Sequence, residues 1–162
     1  MQPQLLNSAN KAIIDDIKKT LELQGHHLTG ALEASLQAHV NTNGDVTELS
    51  ASALGYIESL EKGIPASQIN VPATLNAMIK YVELRMGYRG SKAAHVAYRI
   101  LQKQAIEGNP TEASKRFSKI GERKHVVTNT FAANQDKYAQ MIDQVVSSSL
   151  DLEFSKTKSE TI

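Results

Sequence analysis

Between residues 5 and 23 apolar side chains recur at spacings of four and seven. Leu6, Ile13, Ile17 and Leu21 share one stripe, and Lys11, Asp15, Lys18 and Lys19 fall mostly outside it, the pattern of an amphipathic helix. Gly25-His26-His27 then interrupts the period. From Leu28 to Val40 the even positions are Leu28, Gly30, Leu32, Ala34, Leu36, Ala38 and Val40, while Thr29, Glu33, Ser35, Gln37 and His39 fill odd ones. That alternation predicts a half-buried strand over 28–40. The run Ala31-Leu32-Glu33-Ala34 favours a helix instead, but the period of two outweighs its propensity. Asn43-Gly44 supplies the positive φ angles of a tight hairpin, and Val46 to Ala53 follows as an antiparallel partner. Its polarity suits a weak or edge strand.

The second half of the chain reads as helices. Tyr56, Ile57 and Leu60 suit a short helix stopped at Gly63. Pro72 fits a first helical position, where its missing N–H is not needed, and Leu75, Met78, Ile79, Val82 and Met86 continue one stripe up to Gly87. Gly87 suits the left-handed position that ends a helix. Ser91 is placed to cap the next helix, whose Ala94, Ala97, Tyr98, Leu101 and Ala105 line one face before Gly108. A helical hairpin is the result. Residues 109–122 have no sustained period, and charges gather around Phe117, which predicts an exposed loop that orders against a neighbour. Helical spacing returns from Arg123 to Leu150 with Val127, Phe131, Tyr138, Met141, Ile142 and Val145, the longest helix. Leu150, Leu152 and Phe154 alternate as a strand would, and the final eight residues read as a solvated tail. The expected fold is α+β: an antiparallel sheet with a hairpin, and an N-terminal helix, a helical hairpin and a long C-terminal helix packed on it. One domain over 1–154 and a flexible tail over 155–162 follow.

The 162 residues are 41% hydrophobic and 22% charged, so a core can form and disorder is disfavoured. There is no cysteine, which excludes disulfides, thiolate metal sites and thiol nucleophiles. No apolar run approaches the roughly 20 residues that span a bilayer. Residues 1–10 lack the basic-then-apolar order of a signal peptide. Net charge is only +1, yet residues 85–124 hold ten Lys and Arg against three acids, and the remainder eight against fourteen. Such polarity lets identical copies attract one another through opposite patches, or lets the basic side face nucleic acid.

Candidate chemistry is sparse. His26, His27, His39, His95 and His125 form no i, i+4 pair and no His-Glu-x-x-His motif. No Gly-x-Ser-x-Gly elbow is present, and the carboxylates of Asp15 and Asp16 diverge on a helix. The expectation is a protein that is not an enzyme and holds no metal or cofactor. Gly87-Tyr88-Arg89-Gly90 has the Gly-x-x-Gly form with which KH domains hold a nucleic-acid backbone, although helix capping alone explains both glycines. Lys115, Arg116, Phe117, Lys119, Arg123 and Lys124 are the candidate inter-subunit or partner contacts.

The order of the motifs resembles the neck, or head–tail joining, proteins of tailed bacteriophages. Leu28-Thr29-Gly30-Ala31-Leu32-Glu33 precedes the hairpin, and Tyr56-Ile57-Glu58-Ser59-Leu60-Glu61-Lys62-Gly63 follows it. A Pro-x-x-Leu helix then begins at Pro72 and Leu75 and ends Arg85-Met86-Gly87, and the next helix closes on Gly108-Asn109-Pro110. The likeness spans roughly residues 5–150. It departs from the family in having no tryptophan in the Pro-started helix, where Ile79 stands, and in a more charged 115–124 segment. The resemblance implies an α+β subunit of the virion, repeated as a homo-oligomeric ring around the DNA exit channel. Its partners would be other copies of itself and neighbouring portal, adaptor or tail proteins, with DNA passing without sequence-specific binding and no membrane involved. A small basic nucleic-acid-binding module is the alternative.

Overall fold

The computed structural model describes residues 3–26, 29–43 and 46–160. His27, Leu28, the Gly44-Asp45 part of the expected hairpin turn and the end of the expected tail at 161–162 lie outside them. The fold is α+β, with an N-terminal helix, a two-stranded antiparallel hairpin, a helical hairpin and a long C-terminal helix. Two compact units make it up, and each is assembled from separated stretches of chain.

The first unit comprises residues up to Thr20, Leu32–Leu54 and the chain from Val127 onward. Helix α1 (Pro3–Leu23) buries Leu6, Ala9, Asn10, Ile14 and Ile17 here, a slightly rotated version of the expected stripe because Ile14 rather than Ile13 turns inward. Burying each large aliphatic side chain contributes about 1.5–3 kcal/mol. Asn10 is the polar exception, and its amide is satisfied. Nδ2 donates to the carbonyl oxygens of His39 at 2.8 Å and Ser50 at 3.1 Å, residues that face each other across strands β1 (Gln37–Asn43) and β2 (Val46–Ser52). One side chain thus ties α1 to both strands, which leaves no orphaned buried amide donor.

The strand expected over 28–40 is corrected. Residues Ala31–Ser35 form a short helix, α2, and the strand begins only at Gln37. Leu32 and Leu36 are both buried, and their spacing of four is what a helix turn followed by its exit satisfies. The alternation came from overlapping one turn of helix with a strand that is exposed along nearly its whole length. Ser35 fastens the junction: its hydroxyl donates to Leu32 O at 2.7 Å and accepts from Leu54 N–H at 3.0 Å.

Helix α6 (Val126–Glu160) supplies the rest of this unit. It runs through the segment expected as strand or tail, since residues 150–160 continue the helix, with 151–158 exposed. Thr130, Tyr138 and Val145 are buried, whereas Phe131 and Ile142, expected inside, are about half exposed. The helix changes direction at Asn134, whose backbone leaves helical geometry and whose Nδ2 donates to Thr130 O at 2.9 Å, a local competition typical of Asn within helices. On α1, Asp16 Oδ2 accepts from Lys137 Nζ at 2.6 Å and from the Tyr138 hydroxyl at 2.9 Å.

The second unit comprises Leu21–Ala31 and Gly55–Val126. Helix α3 (Ile57–Lys62) matches the expected Tyr-Ile-Glu-Ser-Leu element. Helix α4 (Val71–Met86) starts where the Asn70 side chain accepts from Ala73 N–H and ends on left-handed Gly87, as Pro72 and Gly87 predict. Helix α5 (Gly90–Glu107) begins after Arg89, with no side-chain cap, so the expected cap by Ser91 is corrected. Val82 of α4 packs with Ala93 and Ala97 of α5, flanked by Leu75, Met78, Ile79 and Met86. The small alanines let the two helices approach. Tyr98, expected in this face, is instead exposed, because burial centres on Ala93, Ala97, Leu101 and Gln104.

Candidate interaction surface

Residues 109–122, expected as an exposed loop, belong to an ordered crook over 108–125 anchored on both sides, and the last helix starts at Val126 rather than at the expected Arg123. Ile64 and Asn109 exchange backbone hydrogen bonds of 2.7 and 2.8 Å. Gly108 is required there, because a Cβ would lie 2.7 Å from Ile64 O and its φ is +83°. A 3-10 turn then runs from Glu112 to Phe117. Lys119 N–H donates to Leu23 O at 2.7 Å, and the Ser118 hydroxyl to the same oxygen at 3.3 Å. These bonds cap the C-terminal end of α1, whose last carbonyls have no intrahelical donors. Gly25 admits the crook, since any Cβ there would lie 2.3 Å from Phe117 O.

Arg123 is the central staple of this crook. Nε donates to Gln24 O at 3.2 Å, and its two terminal nitrogens reach Gly25 O at 3.3 Å and Ser114 O at 3.5 Å. Burial lowers the guanidinium's pKa; the Tyr81 phenol acts in the opposite direction and the nearby Arg85 charge adds to the lowering. It remains a cation at neutral pH. Gln24, fully buried, returns the contact by donating from Nε2 to Lys124 O at 2.9 Å, and His26 Nε2 donates to Arg123 O at 3.2 Å. Glu122 turns its Oε1 onto the N–H groups of Arg123 and Lys124, each at 3.0 Å, which holds its carboxyl below the usual range. The Lys124 side chain lies against Gly63, within 3 Å of where a Cβ would stand.

The six sequence-derived candidates therefore divide. Arg123 and Lys124 face inward and hold the crook together. Lys115, Arg116, Phe117 and Lys119 lie along its outer side. Lys115 pairs with Glu112 at 2.8 Å, Lys119 with Glu22 at 3.2 Å, and the Arg116 guanidinium sits 4.9 Å from the Phe117 ring centre. Both ion pairs are solvent-exposed and easily exchanged for a partner's charges. Ile120 adds exposed apolar surface beside them.

Two features escaped the sequence reading. The solvent face of α5 presents Lys92, Tyr98, Arg99 and Ile106, and the outer side of α6 presents Ile142, Val146, Leu150 and Phe154. The spacing of four in the second set was visible, but it continues beyond the buried face rather than within it. Charge follows the two units: the first holds six basic against ten acidic side chains, the second twelve against seven.

The Gly87-x-x-Gly90 stretch joins α4 to α5 with both glycines at positive φ and open space around them. Lys92 lies over the Tyr88 ring at 4.4 Å. No strand of the two-stranded sheet belongs to this unit, so a KH arrangement of sheet and helices is not reproduced around it. Among the described residues no group of three or more His, Asp or Glu side chains is placed to hold a metal ion, and no helix is long and apolar enough to cross a membrane. Compared with known proteins, the chain matches no family model, no curated protein and no solved structure significantly.

Proposed function

We propose that this chain is a structural subunit of a tailed-phage neck, assembling as a homo-oligomeric ring between the capsid portal or adaptor and the tail. The observation that carries the reading is the segregation of charge between two compact units, −4 in one and +5 in the other. Copies arranged head to tail bring these opposite fields together, and a repeated heterologous contact of this kind closes into a ring when its rotation permits. The order of sequence motifs supports the same reading: the Tyr56 to Gly63 element is a short helix, and the Pro72 and Gly108 signals bracket a helical hairpin. The function is geometric rather than catalytic, and the outer side of the crook, with Lys115, Arg116, Phe117 and Lys119, would meet an adjoining ring.

Removing the gene from the phage that encodes the chain tests this. The expected product is DNA-filled heads without finished tails, restored by supplying the protein in trans. Normal particles in its absence would overturn the reading.

A nucleic-acid module is the second reading, favoured by the open Gly87 to Gly90 loop between two helices with Arg85, Arg89 and Lys92 around it. It requires tight oligonucleotide binding that weakens steeply with salt.

A further inference from the structure

We propose that the outer face of the far half of α6 docks on the solvent face of α5 in a second copy of this chain. The inference rests on the ring reading and names the contact that would build it. Ile142, Val146, Leu150 and Phe154 are 53%, 47%, 53% and 71% exposed. Spaced by four, they form a continuous ridge beside the face that buries Tyr138 and Val145. A row of large apolar side chains left in water marks an interaction site rather than scattered surface residues. Residues 139–155 also carry Asp143, Asp151 and Glu153 and no basic side chain, although Glu153 pairs with Lys156 just beyond them at 3.0 Å. The occupant must therefore offer apolar surface together with positive charge.

The solvent face of α5 offers both. Opposite the buried Ala93, Ala97, Leu101 and Gln104 it presents Lys92, Tyr98, Arg99 and Ile106, all exposed. The one carboxylate within α5, Glu107, is engaged by Lys103. Tyr98 and Ile106 stand eight residues apart, as do Val146 and Phe154, so both apolar pairs span roughly 12 Å at the helical rise. Pairing α6 with α6 would set acids against acids, and pairing α5 with α5 would set bases against bases. Only the unlike pairing is electrostatically complementary, and an unlike contact leaves the pair with one free face of each kind, α5 on one copy and α6 on the other, so assembly continues from copy to copy.

A photo-crosslinking amino acid placed at Leu150 of the full chain tests the contact. Irradiation of concentrated protein is expected to give a ladder of covalent multimers, with peptides from 92–106 joined to α6. The double variant Lys92→Glu and Arg99→Glu, with helix content unchanged by circular dichroism, lowers multimer yield at least about tenfold. Mixing it with a chain carrying Asp143→Lys, Asp151→Lys and Glu153→Lys restores the yield. Links confined to one chain, links between two α6 helices, or no intermolecular link would each overturn the proposal. Sedimentation of the unmodified protein separates the two levels: closed oligomers with Leu150 linked elsewhere remove this contact and leave the ring reading standing.

Discussion

Arg123 and Gln24 clasp each other's strands of chain: Arg123 Nε donates to Gln24 O at 3.2 Å, and Gln24 Nε2 donates to the carbonyl of Lys124 at 2.9 Å. The basic segment is thus partly structural. Replacing Arg123 with Met strands the carbonyls of Gln24 and Gly25 and should cost about 1.5–3 kcal/mol in urea unfolding. Replacing Lys115, Arg116 and Lys119 together with Ala should leave the unfolding midpoint nearly unchanged and abolish assembly of finished particles. Equal destabilisation by the two variants would refute the division of roles.

Gly25 and Gly87 share a positive φ but differ in surroundings. A Cβ at Gly87 meets nothing within 4 Å, whereas at Gly25 it would collide with Phe117 O at 2.3 Å. Gly87→Ala should cost only the left-handed backbone penalty of about 1–2 kcal/mol. Gly25→Ala must also displace the crook, so it should destabilise by clearly more and speed hydrogen exchange of the Lys119 amide. Matching losses at the two positions would show that the crook does not lean on Gly25.

The legible parts of the fold were those encoded locally. Pro72, the Leu75 to Met86 stripe and Gly87 mark α4, and Leu6, Ile17 and Leu21 mark α1, because period and punctuation lie within each element. The 28–40 segment misled because helix and strand patterns overlap across Leu32 and Leu36, and β1 has too little burial to impose its own period. The crook was illegible for another reason. Its order comes from backbone bonds between Leu23 and Lys119, far apart in sequence, and no side-chain pattern records them. Arg123 read as a surface charge because backbone carbonyls, its acceptors, have no sequence signature.

Asp16 should make the first unit acid-sensitive. Burial opposes its charge, but hydrogen bonds from Lys137 and Tyr138, with the charges of Lys137 and Lys19, prevail and hold the carboxyl below the usual carboxylate range. A lowered folded value stabilises above the unfolded one, and this stability disappears as pH falls through the folded value. Tyr138 moves oppositely: burial first, then Asp16, raise its pKa from 10.0. Its neutral form is thereby favoured, and stability is lost as pH rises beyond that value. Asp16→Asn should lower Tm by about 3 °C at pH 7 and flatten the loss below about pH 4. A variant whose acid limb coincides with that of the parent would exclude Asp16 as its origin.

Limited trypsin digestion should report the anchoring of the crook. Lys156 lies in the exposed 151–158 stretch of α6, whereas Lys119 is bound through its N–H to Leu23 O. Cleavage at Lys156 and Lys158 should therefore precede cleavage at Lys115, Arg116 or Lys119. First cuts within 115–119 would return that segment to the loose loop its sequence suggests.

Cryo-electron microscopy of virions assembled with an epitope-tagged copy would locate the subunit in the particle. The neck account predicts tag density repeated around the channel at the head–tail junction, with α6 of each subunit against its neighbour. Particles that exclude the tagged protein, or carry it as one asymmetric copy, would contradict it.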